Sequence, residues 1–192
     1  MMRIITGKAR GTHLATLEGV HTRPTAERTK EAVFSMLRGS IPDAEVLDLF
    51  AGSGQLALEA LSQGAKRAVL CDGARDAIRI IRANAEKTHL LPQCEIVCAD
   101  AASVLSRYAG MRKFDLVFLD PPYATRMIPQ ILETLDQKGM LSADARVMCE
   151  TANAEDVFGE LTHLTERYEI LRTSRYGAAY VTILTPKGEG EA

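Results

Sequence analysis

The sequence predicts an α/β fold with a mostly parallel, doubly wound sheet of seven strands that finishes in an antiparallel hairpin. From residue 45 onward, short apolar runs alternate with amphipathic segments, the order expected of consecutive strand–helix units. The apolar runs are continuous, which indicates strands whose two faces are both covered by helices. The last two predicted strands are joined by a short turn, which favours an antiparallel pair at the end of the sheet.

A smaller N-terminal arm, residues 1–40, precedes this pattern. Residues 3–6 and 12–16 predict a short β-pair around a glycine-flanked turn. Residues 25–38 predict a helix, because their apolar side chains follow three- and four-residue spacing after Pro24. The arm is therefore predicted to contain a β-pair and a helix ahead of the main domain.

The main domain is predicted to span residues 41–186, with residues 187–192 as a frayed tail. The predicted strands are residues 46–50, 68–71, 95–99, 114–119 and 146–149, and the helices between them are residues 55–63, 75–87, 102–108 and 128–137. Residues 168–173 and 179–185 form the closing hairpin, since Ser174-Arg-Tyr-Gly177 between them is typical of a turn.

The composition favours one globular domain and excludes a disordered chain. The 192 residues are 46% apolar and 25% charged, which is sufficient for a buried core. The first 40 residues carry a net charge of +4 and the remaining 152 carry −6, although the whole chain carries only −2. Binding to nucleic acid would therefore depend on a local basic patch in the arm.

The sequence also bears on location and metal content. No apolar run approaches the ~20 residues of a membrane span, and no apolar signal segment follows the first residues, so we expect a cytoplasmic protein without membrane contact. The cysteines do not have the spacing of a zinc site, so we expect reduced thiols and no bound metal. They are Cys71, Cys94, Cys98 and Cys149.

Aspartates stand at or directly after the ends of four successive predicted strands. The first strand carries Asp48, and the next three lead into Asp72, Asp100 and Asp120. In an open α/β sheet, ligands bind beyond the carboxyl ends of the strands. Any one of these aspartates could be a helix cap or a turn former, but four together predict a ligand site at this edge.

The loop after the first strand has the spacing of a nucleotide-binding turn. Gly52, Gly54 and Ala57 follow a G-x-G-x-x-A pattern that lets the backbone approach a ligand closely. This pattern, with Asp72 suited to ribose hydroxyls, fits either a nicotinamide dinucleotide or S-adenosylmethionine. The acidic edge favours S-adenosylmethionine, because that molecule carries an ammonium and a sulfonium where a dinucleotide carries a pyrophosphate.

The segment Asp120-Pro-Pro-Tyr123 is the most specific feature of the sequence. Its two prolines end the strand and stiffen the loop that follows. A planar exocyclic amine could donate hydrogen bonds to the Asp120 carboxylate and the Pro121 carbonyl, which would aim its nitrogen at an incoming methyl group. Tyr123 would offer a ring on which a flat base could stack.

These segments resemble those of a known family. Asp48-Leu-Phe-Ala-Gly-Ser-Gly54 resembles motif I of the class I S-adenosylmethionine-dependent methyltransferases, and Asp120-Pro-Pro-Tyr123 resembles motif IV of the amino methyltransferases. The arm, through Gly7-Lys-Ala-Arg-Gly11 and Arg23-Pro-Thr-Ala-Glu-Arg-Thr-Lys30, resembles the RsmD family, whose members methylate N2 of a guanine in bacterial 16S rRNA. The resemblance covers nearly the whole chain and implies a Rossmann-like class I methyltransferase fold.

The resemblance implies roles for individual residues. Asp48, Gly52 and Gly54 would line the methionine part of the cofactor, Asp72 would hold its ribose, and Asp100 would contact its adenine amine. The full expected cofactor-binding set is Asp48, Phe50, Gly52, Gly54, Asp72, Asp100 and Ala101, and the expected catalytic set is Asp120, Pro121, Pro122 and Tyr123.

The resemblance also implies that the basic arm contacts RNA. The expected RNA-binding residues are Arg3, Lys8, Arg10, Arg23, Arg28, Lys30 and Arg175. The expected substrate is 16S rRNA in the small ribosomal subunit or an assembly intermediate, methylated by a monomer without covalent catalysis. The residues leave open an adenine-N6 methyltransferase acting on DNA or RNA, a nicotinamide-dependent oxidoreductase and, less favoured, a non-catalytic RNA-binding protein.

Overall fold

The computed structural model describes residues 2–16, 24–122 and 126–188, and within the first helix it describes side chains from residue 28 onward. Seven strands and six helices follow in chain order over these residues. They are α1 (Pro24–Leu37), β1 (Glu45–Asp48), α2 (Gln55–Ser62), β2 (Arg67–Asp72), α3 (Arg75–Lys87), β3 (Cys94–Cys98), α4 (Ala101–Tyr108), β4 (Phe114–Leu119), α5 (Ile128–Gln137), β5 (Leu141–Thr151), α6 (Leu164–Arg167), β6 (Tyr168–Tyr176) and β7 (Ala179–Pro186). Short 3-10 turns lie at Arg38–Ser40, Leu91–Gln93 and Ala154–Val157.

The seven strands form one mixed sheet in the order β3-β2-β1-β4-β5-β7-β6. The first five strands in this order are parallel, and β7 lies antiparallel between β5 and β6. The predicted α/β fold with a C-terminal antiparallel hairpin is thus confirmed. Within the described residues, no helix is long and apolar enough to cross a bilayer.

Helices cover both faces of the sheet, as the continuous apolar strands require. On one face, side chains of α1, α2 and α3 pack together with the apolar residues of the arm in one cluster, where the Phe34 and Phe118 rings lie 5.9 Å apart. On the other face, α4 and α5 pack over the sheet in a second cluster. The arm therefore shares a core with the main domain.

Two strands, β5 and β6, are longer than predicted by three residues or more. β5 runs over Leu141–Thr151, and its first four residues are not buried, so the apolar pattern marked only its central part. β6 runs over Tyr168–Tyr176 at the edge of the sheet and is almost entirely exposed after Tyr168. In both strands, backbone pairing extends beyond the region that burial makes apolar.

The β-pair predicted in the arm is a short hairpin that packs against α2. Arg3 and His13 form an antiparallel bridge, and Ile4 exchanges two backbone hydrogen bonds with Gly11 and Thr12, by donating its N–H to Thr12 (3.0 Å) and accepting from Gly11 (2.8 Å). Gly7 lies so close to α2 that a Cβ atom would stand 1.9 Å from the Ser62 carbonyl oxygen. The hairpin of the arm is therefore held against α2 by close backbone contact.

Candidate functional site

Four carboxylates stand at the ends of four adjacent strands, at the carboxyl edge of the sheet. Asp72, Asp48, Asp120 and Glu150 belong to the ends of β2, β1, β4 and β5, which are neighbours in this order. Each of these residues comes two positions after a residue of the apolar cluster that contains the arm side chains. Alternate residues of a strand share a face. The row therefore faces the side of the sheet that carries the arm and α1.

Asp48 is the most deeply buried member of this row. Its side chain is 1% exposed, and neither carboxylate oxygen reaches a hydrogen-bond partner among the described residues. Burial raises the pKa of Asp48 to about 7, the nearby backbone amides of Phe50 and Ala57 oppose the rise, and the charge of Asp72 adds to it. A buried, unpartnered carboxylate is costly, so this site favours a ligand that brings hydrogen-bond donors or positive charge.

Asp120 lies between Asp48 and Glu150. Burial, and after it the charges of Glu150 and Asp48, together raise the pKa of Asp120 to about 8. Pro121, which follows it, is buried. Pro122 is exposed and lines a small cavity together with Glu150. The predicted catalytic residue Tyr123 lies outside the described residues.

Asp72 holds the glycine loop in place. Its carboxylate accepts the Gly52 amide hydrogen at 3.0 Å and the Ala74 amide hydrogen at 2.8 Å. These bonds join the end of β2 to the loop between β1 and α2. Asp72 is thus a structural anchor of the loop as well as the residue predicted to hold a ribose.

The glycine loop and the arm enclose a cavity of about 230 Å³. Gly54 begins α2 with φ of 79°, and a Cβ atom there would stand 3.2 Å from Leu70, so the turn requires glycine. The cavity is lined by Met2, Thr16, Phe50, Ala51, Gly52, Ser53, Gln55, Leu56 and Asp120. The structure therefore brings the predicted residues Phe50 and Gly52 together with Asp120 around one space.

Asp100 caps the first turn of α4. Its carboxylate accepts hydrogen bonds from the Ser103 amide at 2.8 Å and the Ser103 hydroxyl at 2.9 Å, which lower its pKa. The side chain is exposed, and Ala101 beside it is buried. Asp100 is therefore a helix cap, as any one of the four aspartates could be. Its contact with an adenine stays a prediction.

The predicted RNA-binding residues lie in different places. Arg28 is exposed on the N-terminal half of α1, and Arg23 lies outside the described residues. Arg175 is exposed at the end of β6, and its guanidinium lies 5.6 Å from the Tyr180 ring centre. Since Tyr180 pairs with Thr151 at the end of β5, Arg175 lies on the same edge as the carboxylates.

Lys8 and Arg10 occupy the turn of the arm, which docks at the other end of α2 from the glycine loop. The Lys8 amide donates to the Ser62 carbonyl, and the Lys8 ammonium donates to Gln93 at 2.6 Å. Arg10 is exposed in the same turn. With α2 eight residues long, this turn and the cavity are separated by roughly 12 Å along the helix.

The prediction that Lys30 binds RNA is corrected by the structure. Its side chain is 4% exposed, and its ammonium lies 3.2 Å from the buried Glu59 carboxylate and 2.5 Å from the Arg3 carbonyl oxygen. Glu59 also accepts the amide hydrogens of Ile5 and Thr6. Lys30 therefore fastens α1 and the arm to α2 and is not available to a phosphate.

Glu150, Met2 and Thr16 are residues of this site that the sequence analysis did not select. Glu150 directly follows the predicted fifth strand, so the rule applied to the first four strands would have found it. Met2 and Thr16 reach the cavity through the folding of the arm, and no sequence signal indicates that. Within the described residues, no group of three histidine, cysteine or acidic side chains could hold a metal ion.

The comparisons with known proteins identify the family of this chain. The family model described as conserved hypothetical protein 95 matches residues 2–185. The Bacillus subtilis protein YlbH, named as a candidate rRNA methyltransferase, is 32% identical over 97% of this chain and 100% of its own length. Ribosomal RNA small subunit methyltransferase D of Escherichia coli is 33% identical over 78% of this chain and 74% of its own.

The fold agrees with a solved structure as well. The Escherichia coli protein yhhF, named as a candidate methyltransferase, superposes with a TM-score of 0.83 and 28% identity, over 98% of this chain and 99% of that one. The Rossmann-like class I methyltransferase fold predicted from the motifs is confirmed.

Proposed function

The chain belongs to the family described as conserved hypothetical protein 95, the RsmD family that its motifs resemble, and from this premise we propose that it methylates N2 of a guanine in 16S rRNA with S-adenosylmethionine. The observation that carries this proposal is the row of carboxylates with the buried, unpartnered Asp48 at its centre. Such a row suits a cationic cofactor beside a base that presents N–H donors.

The residues around the cavity fit the proposed cofactor. Asp48 lacks a hydrogen-bond partner among the described residues and would gain one from an ammonium group. Phe50, two residues after it, lines the cavity together with Gly52. Asp72 and Asp100 would face the ribose and adenine, since both follow neighbouring strands. When bound, S-adenosylmethionine supplies an electrophilic methyl group on a positively charged sulfur.

The proline loop would hold the target base. Asp120, in its ionised form, would accept a hydrogen bond from the exocyclic amine, and the Pro121 carbonyl would accept the other. Holding the nitrogen in line with the methyl group supplies most of the acceleration in a direct transfer of this kind. The amine loses a proton during the reaction, and the Asp120 carboxylate is the nearest group that could take it.

The arm and the closing hairpin would hold the RNA. Arg3, Arg28 and Arg175 are exposed, and Arg175 lies on the edge that carries the carboxylates. Basic side chains of this kind bind phosphates with an affinity that falls as salt rises. We take residues 1–40 as the RNA-contacting arm of a cytoplasmic monomer, residues 41–186 as the methyltransferase domain and residues 187–192 as the tail.

The test is methyl transfer from tritiated S-adenosylmethionine to naked 16S rRNA, to unmethylated small subunits and to duplex DNA. Nucleoside analysis of the product should show N2-methylguanosine from a ribosomal substrate. Asp120→Asn should abolish the product, whereas Asp144→Asn, an exposed aspartate at the opposite end of β5, should leave it unchanged. N6-methyladenosine would assign the chain to the adenine enzymes, and failure to bind S-adenosylmethionine would overturn the methyltransferase proposal.

A further inference from the structure

We propose that Glu150 makes this site specific for guanine, by accepting the N1–H of the target base while Asp120 accepts its exocyclic amine. This inference deepens the proposed function and rests on it. Glu150 is absent from the motifs that indicated the active site, and its place in the fold is what brings it there.

The strand register places Glu150 beside Asp120. β4 and β5 pair in parallel with Leu119 opposite Cys149, so Asp120 and Glu150 follow at the same level on neighbouring strands. Adjacent strands lie about 4.8 Å apart, so both carboxylates are within reach of one small planar ligand. Glu150 lines a small cavity with Pro121 and Pro122, the two residues that follow Asp120 in the chain.

A second observation points to a ligand with several donors at this place. Asp48 is buried without a hydrogen-bond partner among the described residues, and its charge and that of Glu150 both act on Asp120. Three carboxylates this close repel one another. A ligand edge that carries adjacent N–H groups would relieve that repulsion, whereas an edge that carries a lone pair would increase it.

The Watson–Crick edge of guanine has that pattern and the edge of adenine does not. Guanine presents N1–H directly beside its N2 amine, which are two donors in one plane. Adenine presents its N6 amine beside N1, which bears a lone pair. Glu150 would accept a hydrogen bond from the first arrangement, whereas its charge would face a lone pair in the second, and sites built on such a hydrogen bond discriminate strongly.

Glu150 suits this role better than Asp48 does. Asp48 is 1% exposed and lies towards the glycine loop and Asp72. Glu150 is partly exposed and lies on the opposite side of Asp120, where the cavity is also lined by Arg126 and Thr151. The cofactor and the base would thus occupy opposite sides of Asp120, which a transfer between them requires.

The experiment compares wild-type enzyme with Glu150→Gln on a synthetic RNA of the 16S segment that wild-type enzyme methylates. The target position carries either guanine or 2-aminopurine, which keeps the amine at carbon 2 but has a lone pair at N1. Wild-type enzyme should favour guanine in kcat/KM by roughly 100-fold or more. Glu150→Gln should reduce this preference below about tenfold, because its neutral amide can either accept the N1–H of guanine or donate to the N1 lone pair of 2-aminopurine.

The controls separate specificity from folding. Glu155→Gln changes an exposed glutamate five residues away and should behave as wild type. Binding of S-adenosylmethionine by Glu150→Gln, measured by calorimetry, should match wild type. A preference for guanine that stays at the wild-type value in Glu150→Gln would overturn the inference and leave the proposed function standing. If wild-type enzyme makes no N2-methylguanosine at all, both fail together.

Discussion

The Asp72 carboxylate accepts the amide hydrogen of Gly52 at 3.0 Å, so the second acidic strand end supports the glycine loop of the first. A second bond, from the Ala74 amide at 2.8 Å, holds the start of α3 to the same carboxylate. One side chain thus aligns three segments that border the proposed cofactor site, and the charged edge is at the same time part of the scaffold.

Replacing Asp72 should therefore affect stability and cofactor binding together. Asp72→Ala removes both acceptors and should lower the free energy of unfolding by about 1–3 kcal/mol. The same change should weaken S-adenosylmethionine binding at least about tenfold, since the loop loses its anchor and the site a charge. Asp72→Asn keeps one acceptor and should recover most of the stability. Urea unfolding and calorimetry would measure the two effects, and full stability of Asp72→Ala would contradict the anchor role.

Asp48→Asn should stabilise the free protein at neutral pH while it weakens cofactor binding. The folded protein raises the pKa of Asp48 from 3.8 to about 7, so ionisation of this group costs stability as pH rises from 4 to 7. Three pKa units correspond to about 4 kcal/mol of free energy of unfolding. Burial of the polar amide in the variant is itself unfavourable, so we expect the variant to be more stable than wild type by about 1–4 kcal/mol above pH 7.

The gain for Asp48→Asn should shrink as pH falls from 7 and vanish below pH 3.8, where the wild-type carboxyl becomes protonated in both the folded and the unfolded chain. Thermal unfolding of both proteins between pH 4 and pH 8 would measure it. A difference that does not depend on pH would show that the charge of Asp48 is not its source.

Methyl transfer should depend on ionisation of Asp120. Because burial and the charges of Glu150 and Asp48 raise its pKa to about 8, the carboxyl of the free enzyme is mostly protonated at pH 7. If the carboxylate must accept the amine hydrogen, kcat/KM should rise about tenfold per pH unit from pH 6 and level off near pH 8. Glu150→Gln removes one of the two charges and should move the midpoint to lower pH, while Asp144→Asn should not move it. A flat profile between pH 6 and pH 8 would contradict this role.

Lys30→Met should destabilise the fold. The variant leaves the Glu59 carboxylate buried without its cation, a change that costs about 3–5 kcal/mol in other proteins. Lys138→Met, which replaces an exposed lysine after α5, is the matched control and should change stability by less than about 0.5 kcal/mol. Urea unfolding would compare the two, and a loss below about 1 kcal/mol for Lys30→Met would show that the pair is unimportant.

Arg28→Ala should weaken RNA binding without loss of stability. Arg28 is exposed on α1, so its replacement should remove about one phosphate contact and reduce the salt dependence of binding by about one ion. Arg10, in the turn beyond the far end of α2, should contribute less to binding of a short RNA. Filter binding at several salt concentrations would measure both, with Lys138→Ala as control. An unchanged slope for Arg28→Ala would place the RNA elsewhere.

Local patterns in the amino-acid sequence were sufficient to predict most elements and the acidic character of the carboxyl edge. Residues 75–87, 114–119 and 128–137 were predicted with the bounds that the structure shows, because apolar periodicity and glycine stops are local signals. The strand-end rule placed Asp48, Asp72 and Asp120 at one edge, since parallel strands all end on the same side.

Which of these groups lie together depends on the packing of the folded chain. Glu150 joins Asp120 through the register of β4 and β5, and Met2 reaches the cavity through the docking of the arm. Lys30 and Arg28 are both basic residues of the same predicted helix, but Lys30 is buried against Glu59 and forms a structural ion pair with it. These outcomes depend on contacts between residues distant in the chain, and composition and periodicity carry no record of such contacts.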